Sequence, residues 1–264
     1  VAWATIIAQA ISAVLCLIKL FRMHDILVIK WKTLRPKKVL LGQLVRLGLP
    51  SGLTQAIFSL AMIIVQSLTN SFGTAVIAAN TVVMRVDGFA MMPNFTFGTA
   101  ITTFDGQNIG AGRLDRVEKG TKDGMKLGVS VSVVLVGLIL LFGRYLMQLF
   151  TKTPEVIALG TRMLFILAVG YVAMAVTQIF SGVMRGAGDT MTPMWISIMT
   201  TVIIRMPIAY GLEALTRPAG GAMGSGAPDC LFISLLISWV LGAVLTGFAY
   251  RMGKWKKKSI VKRD

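Results

Sequence analysis

Acidic residues are scarce in this 264-residue chain, where 11 Asp and Glu stand against 27 Lys and Arg. Reactive side chains are scarcer still: one histidine, His24, and two cysteines, Cys16 and Cys230. Each shortage excludes something. Two cysteines far apart in apolar stretches make neither a disulfide framework nor a metal-ligand spacing. His24 sits beside Asp25 in a basic stretch and reads as a solvated linker residue. A membrane enzyme needs clustered His, Cys or carboxylates near an interface. The expectation is therefore no enzyme, no metal and no other cofactor. Charge as a whole is also low, at 14% of residues against about 25% in ordinary soluble domains.

What fills the chain is hydrocarbon: 55% of residues are hydrophobic and mean hydropathy is +0.74. The apolar residues fall into blocks of roughly 20, long enough to cross a hydrocarbon core as helices. Seven spans are predicted, near residues 1–20, 47–69, 75–102, 127–142, 156–184, 192–212 and 229–250. The expected fold class is all-α, a polytopic membrane helix bundle. The first residue is Val1, already inside an apolar block whose positive charges follow it. A secretory signal carries its charges ahead of the block, so the block reads as a membrane helix of a chain truncated at its N-terminus.

A formal net charge of +16 suggests nucleic acid, but the positions of the charges argue otherwise. All Lys and Arg except Arg85, Arg144, Lys152, Arg162, Arg205 and Arg217 fall in residues 19–46, 103–126, 185–191 and 251–264. Those segments alternate with the spans, so one side of the membrane collects the positive charge, and that side is the cytoplasmic one. The C-terminus is then cytoplasmic and the location is the cell's inner (plasma) membrane, with the lipid bilayer rather than nucleic acid as partner. Residues 21–46, with Lys30, Trp31, Lys32, Arg35, Pro36, Lys37 and Lys38, read as an amphipathic basic linker. It separates a lone helix at 1–20 from a six-helix bundle at 47–251, with a basic tail at 252–264. Lys254, Lys256, Lys257 and Lys258 of that tail suit an anionic lipid surface.

Polar groups inside hydrocarbon are costly and should face a bundle interior or a wet cavity. Asn80, Met84, Asp87, Met91 and Asn94 recur at helical spacing on the third span, which places them on one face. Gln55, Ser59, Met62, Gln66 and Thr69 do so on the second, and Met174, Gln178, Ser181 and Arg185 on the fifth. Such stripes serve either as helix–helix glue or as the wall of a cavity for bulky, amphipathic and often cationic molecules, where methionine adapts to varied partners. Asp87 is the carboxylate read deepest in a span. It suits a buried pair with Arg205 or Arg85, or a site that takes up a proton or cation. Pro93 and Pro207 each remove a backbone hydrogen bond and are candidate hinges.

Two loops echo each other: Gln107-Asn108-Ile109-Gly110-Ala111-Gly112 and Arg185-Gly186-Ala187-Gly188-Asp189-Thr190. Neither completes a phosphate-binding glycine motif, and each follows a helix instead of a strand. Glycine there suits the left-handed residue that ends a helix. The first loop, preceded by Phe104-Asp105-Gly106, resembles the Gln-Asn-x-Gly-Ala-Gly loop of the MATE family of multidrug and toxic compound extrusion transporters. The second, continuing to Thr192-Pro193, is similar to that family's Arg-Gly-x-Gly-Asp-Thr-x-x-Pro loop. Leu149-Phe150-Thr151 with Pro154-Glu155-Val156-Ile157, and Leu47-Gly48-Leu49-Pro50, resemble further family segments. The resemblance covers essentially the whole chain.

The resemblance implies two six-helix lobes around a central cavity, this chain holding the last helix of the first lobe and all of the second. It implies a secondary antiporter, working as a monomer of the full-length chain, that exchanges H⁺ or Na⁺ for drug-like or cationic organic molecules. Sodium-coupled members carry a Glu on the helix that here has Gln55, Phe58 and Gln66, which favours H⁺; the branch it resembles has its proton site on the first helix of the first lobe, so the resemblance implies a coupling residue outside these 264 residues as an alternative to Asp87. A flippase for lipid-linked sugars shares the lobe design and would show a more cationic cavity. An accessory or structural membrane protein is the reading from another class.

Overall fold

The computed structural model describes residues 2–22 and 38–257. His24 and most of the basic linker lie outside the described residues, as does the tail beyond Lys257, including Lys258. Every regular element among the described residues is helical. They are α1 (Ala2–Arg22), α2 (Lys38–Ser71), α3 (Thr74–Gly110), α4 (Leu114–Gln148), α5 (Pro154–Gly186), α6 (Met191–Ile198), α7 (Arg205–Thr216) and α8 (Cys230–Arg251). A wide π turn, Met199–Ile204, joins α6 to α7, so that Met191–Thr216 forms one span. Seven spans are long and apolar enough to cross a membrane, and the protein is a multi-pass membrane protein.

The chain divides into residues 1–46 and residues 47–264. In the first unit α1 exposes nearly all its side chains, as an apolar helix solvated by lipid would. α2 begins at Lys38, inside the stretch read as linker. The helices of the second unit also outrun the apolar blocks: α3 continues to Gly110 and α4 begins at Leu114. Hydropathy stops where the hydrocarbon stops, whereas backbone hydrogen bonding carries each helix on until a residue ends it.

That residue is glycine in both echoed loops. Gly112 (φ 72°) and Gly188 (φ 86°) are left-handed. The Gly112 N–H donates to the Ile109 carbonyl and the Arg113 N–H to Asn108. Gly188 donates to Arg185 and Asp189 to Met184 in the same pattern. This paired closure satisfies carbonyls that a helix end otherwise leaves bare. Asp189 then starts the next helix, accepting from the Thr192 N–H at 3.2 Å and from its hydroxyl at 2.7 Å.

The core is organised around α3 and α5, the pair in most extensive contact. Gly98, Thr102 and Gly106 on α3 meet Gln178, Gly182 and Gly186 on α5. A Cβ on Gly182 would lie 2.6 Å from the Gly98 carbonyl oxygen, and one on Gly186 2.7 Å from the Thr102 carbonyl. Small residues four apart let two backbones touch, which is how helices gain packing energy where lipid competes for every side chain. Asn94 adds a polar tie: its amide donates to the Tyr171 carbonyl of α5 at 3.1 Å and accepts from the Ser132 hydroxyl of α4 at 2.8 Å.

At the end away from the basic loops, fully buried Glu213 holds both Arg217 and the Gly224 N–H, so the glycine-rich segment 220–226 wraps a carboxylate. At the basic end, buried Trp255 stacks on Tyr250, which stacks on Phe180. Lys256 bonds Glu118 of α4 at 2.6 Å. The start of the basic tail is therefore folded against the lobe.

Gly182→Ala is expected to lower the melting temperature of the detergent-solubilised chain, because the backbone facing it cannot yield and overpacking costs about 1–3 kcal/mol. Gly88→Ala meets open space and is expected to be neutral or to gain up to about 1 kcal/mol from helix propensity. Parallel thermal melts check the order; equal melting temperatures for the two variants would contradict the close packing.

Candidate functional site

The second unit encloses a cavity of about 490 Å³. Thr54, Gln55 and Phe58 of α2 form one wall; Met174, Gln178 and Arg185 of α5 form another. Thr200 and Thr201 of the π turn, with Arg205 beyond it, face Ser238 and Trp239 of α8. α2 touches the bundle along Ala61, Val65 and Leu68, which are buried, while its stretch from Ser51 to Phe58 borders the open space. The lining joins amides and hydroxyls to aromatic and thioether surface. That combination suits ligand pockets, in which an apolar wall supplies area and a few polar groups fix orientation.

A second, smaller chamber of about 40 Å³ lies beside it. Met62, Gln66, Thr69, Asn80, Met84 and Asp87 line it. Arg205 borders both spaces. The expected stripes are therefore divided. Gln55, Met174 and Gln178 come together at the larger cavity, and Met62, Gln66, Asn80, Met84 and Asp87 at the smaller.

Ser59, Met91 and Asn94 border neither space. Ser59 returns its hydroxyl to the Gln55 carbonyl. Met91 is buried in the core beside Asn94, and Asn94 joins three helices. The spacing that marks a cavity face also marks a helix–helix seam, and a side chain's neighbours decide between them.

The charges are also arranged differently from the simplest expectation. Asp87 forms no ion pair with Arg205 or Arg85 among the described residues. Arg85 is exposed on another side of α3, since two residues along a helix turn the side chain well away. Arg205 acts on Asp87 through space, and the Tyr171 hydroxyl lies beside the same carboxylate. One Asp87 oxygen, the Tyr171 hydroxyl and the Arg205 Nε are buried without a hydrogen-bond partner. Such groups are rare in folded proteins, and each calls for an explanation.

Arg205 reaches both spaces because of the π turn. The Arg205 N–H donates to the Thr200 carbonyl, five residues back, and the Ser238 hydroxyl donates to the same carbonyl at 2.8 Å. The extra residue shifts the helix register just ahead of Arg205. Pro207 follows two residues later and cannot donate to the turn behind it. Local π segments gather at functional sites. Pro93, by contrast, lies within an uninterrupted α3.

Two buried carboxylates escaped the sequence reading. Asp105 is fully buried, with both oxygens unpartnered, next to the Gly106–Gly186 contact. Glu213 is the other. Both sit just past the predicted ends of apolar blocks. The four-residue spacing from Gly98 through Gly106 is the signal that carries α3's buried face past its block to Asp105. Of the loop motif residues, Gly112, Gly188 and Asp189 close or open helices, and the Asn108 amide donates to the Phe104 carbonyl at 2.7 Å. Gly186 packs on α3. Gln107 and Gly110 are exposed, and Pro193 lines the larger cavity.

Comparison with known proteins fits this architecture. The MatE family model matches residues 50–211. The probable multidrug resistance protein YoeA of Bacillus subtilis is 31% identical over 229 residues, which are 87% of this chain and 48% of YoeA. A solved multidrug resistance MATE family transporter of the MOP superfamily, in an outward-facing conformation, superposes with a TM-score of 0.84 at 22% identity. The match covers 97% of this chain and 56% of that one. A MOP superfamily transporter from Pyrococcus furiosus, for which a reversed polarity of the binding pocket is described, superposes at 0.76 with 21% identity. That match covers 88% of this chain and 50% of the other. The chain thus spans about half the length of the relatives it matches.

If the larger cavity is wet, Gln178→Cys should react rapidly with a charged maleimide, in a background where Cys16 and Cys230 are replaced by Ser and Ala. Phe89→Cys, at a position 75% exposed within the apolar span of α3 and bordering neither space, should react slowly. Comparable rates would mean that Gln178 does not line an aqueous space.

Proposed function

The chain belongs to the MatE family, and from that membership we propose that it supplies one transport lobe of a secondary multidrug antiporter. In this reading residues 47–251 form the second six-helix lobe, residues 1–20 the last helix of the first lobe, and residues 21–46 the linker between them. The lobe lies in the cell's inner membrane with its basic loops and C-terminus in the cytoplasm. The cavity of about 490 Å³ carries the proposal, because a passage for amphipathic cargo needs neutral hydrogen-bonding groups and aromatic surface in a space of that size.

Coupling is assigned to Asp87. A carboxylate in hydrocarbon is expensive when charged and unpaired. Taking up H⁺ or Na⁺ removes that cost, so loading alters the energy of the chamber that Arg205 shares with the cargo space. The absence of an acid among Gln55, Phe58 and Gln66 on α2 favours H⁺. Pro207 and the π turn ahead of it are the proposed hinge, since backbone there already departs from ordinary helical bonding. Pro93 is a second candidate. The lipid-linked sugar flippase reading draws support from Arg185 and Arg205 in the cavity wall. Dye efflux against flipping of a lipid-linked oligosaccharide separates the two.

The 264-residue chain alone is expected to leave ethidium and norfloxacin susceptibility unchanged in a pump-deficient host. Fused behind the first half of the YoeA relative, it is expected to restore norfloxacin efflux, and Asp87→Asn in the fusion to abolish it. Efflux by the isolated chain would overturn the half-transporter reading. Undiminished efflux by the Asp87→Asn fusion would remove Asp87 from coupling.

A further inference from the structure

The charge on the cavity wall says what the cargo carries. Among the described residues Arg185 and Arg205 are the charged side chains lining the larger cavity, and no described Asp or Glu lines it. Neither arginine makes an ion pair among the described residues. Arg205 is 8% exposed, with its Nε lacking any acceptor.

The lobe's carboxylates are placed or engaged elsewhere. Asp87 acts on Arg205 only from the smaller chamber. Asp189 is bonded to Thr192, and Glu213 to Arg217 and Gly224. Asp105 is buried at the α3–α5 contact. An organic cation entering this space meets two like charges and no counter-charge. An oxyanion meets the Arg205 guanidinium, which makes no ion pair among the described residues and whose forked donors match carboxylate, sulfonate and phosphate geometry. Phe58, Met174 and Trp239 provide the surface for a ring system.

We propose that this lobe binds amphiphiles bearing an anionic group, with Arg205 as the residue that receives the anion and Arg185 as the second positive charge toward the basic end. The proposal deepens the transport reading and rests on the larger cavity being the cargo space. It reverses the sequence-based expectation of cationic cargo for this half of the passage. The π turn is what makes Arg205 available: its shifted register directs the residue to the boundary of the two spaces, and Ser238 pins the Thr200 carbonyl that anchors it.

Fluorescein and rhodamine 123 share a ring system and differ in charge, and their binding to the chain in zwitterionic lipid nanodiscs can be read by dye anisotropy against empty discs. Fluorescein is expected to bind about tenfold tighter than rhodamine 123, the worth of one charge-assisted hydrogen-bonded contact. Arg205→Gln is expected to erase that preference while leaving rhodamine 123 unweakened, and Arg185→Gln to reduce it in part. Helicity and melting of each variant are measured alongside. The wild-type dye preference and the Arg185 variant test the proposal even if Arg205→Gln fails to fold.

Repeating the titration in phosphatidylglycerol discs identifies the source of the anion. Loss of fluorescein binding there assigns the same site to a lipid phosphate, and retained binding assigns it to a soluble anion. Preference for rhodamine 123, or fluorescein affinity unchanged in folded Arg205→Gln, overturns the anion assignment and leaves the cargo cavity standing. Binding of neither dye overturns both.

Discussion

The contact between the backbones of α3 and α5 is the constraint on which the rest of the lobe depends. In lipid there is no hydrophobic gain from bringing two apolar helices together, so contact must come from shape and from hydrogen bonds. Gly98, Gly182 and Gly186 remove the side chains that would hold the axes apart, and Asn94 then reaches the Tyr171 carbonyl and the Ser132 hydroxyl across the gap. With this central pair fixed, α4 and α8 pack against α5. The looser α2 and the α6–α7 span are left to border open space. A rigid seam and an open cavity are two results of the same distribution of small residues.

Much of this was legible in the sequence. Seven apolar blocks announce seven spans, and the paired Gly-Ala-Gly motifs announce two helix ends of one kind, because only glycine relieves the left-handed residue there. The stripes on the second, third and fifth spans were also visible. What they face was not: Asn94 and Gln178 follow the same periodicity, yet one is a structural tie and the other borders the cavity. Periodicity tells which residues share a face and is silent on what that face meets. Asp105 and Glu213 were missed for a related reason, since apolar blocks report the thickness of hydrocarbon and not the extent of packing. The π turn left one mark in the sequence, Pro207, which reads as a candidate hinge and does not announce a change of winding. Met199–Ile204 is an ordinary apolar stretch, and its winding is set by neighbours such as Ser238 and by the proline behind it.

The polar groups of the interior divide into satisfied and unsatisfied sets. Glu213, Asp189 and Asn94 have their partners and do structural work: a wrapped loop, a started helix, a joined seam. Asp87, Tyr171 and Arg205 sit close together with bonds left unmade. Buried polar groups that complete their bonding rigidify a core, and those that do not are left free to respond to whatever enters. The satisfied groups sit at helix ends and seams, whereas Asp87 and Arg205 border the smaller chamber and Asp105 is left unpartnered at the α3–α5 contact.

The wide turn at Met199–Ile204 holds one residue more than ordinary helical winding needs. The wide turn has already taken up that residue, because its hydrogen bonds reach five residues back instead of four. Deleting one residue from Met199–Ile204 would therefore restore ordinary winding and leave Arg205 to Thr216 on their present faces. The same deletion inside α7, where no residue is spare, would turn Glu213 by about 100° and carry it off the loop that closes over it. Chain length can change at this turn and not in the helix that follows it.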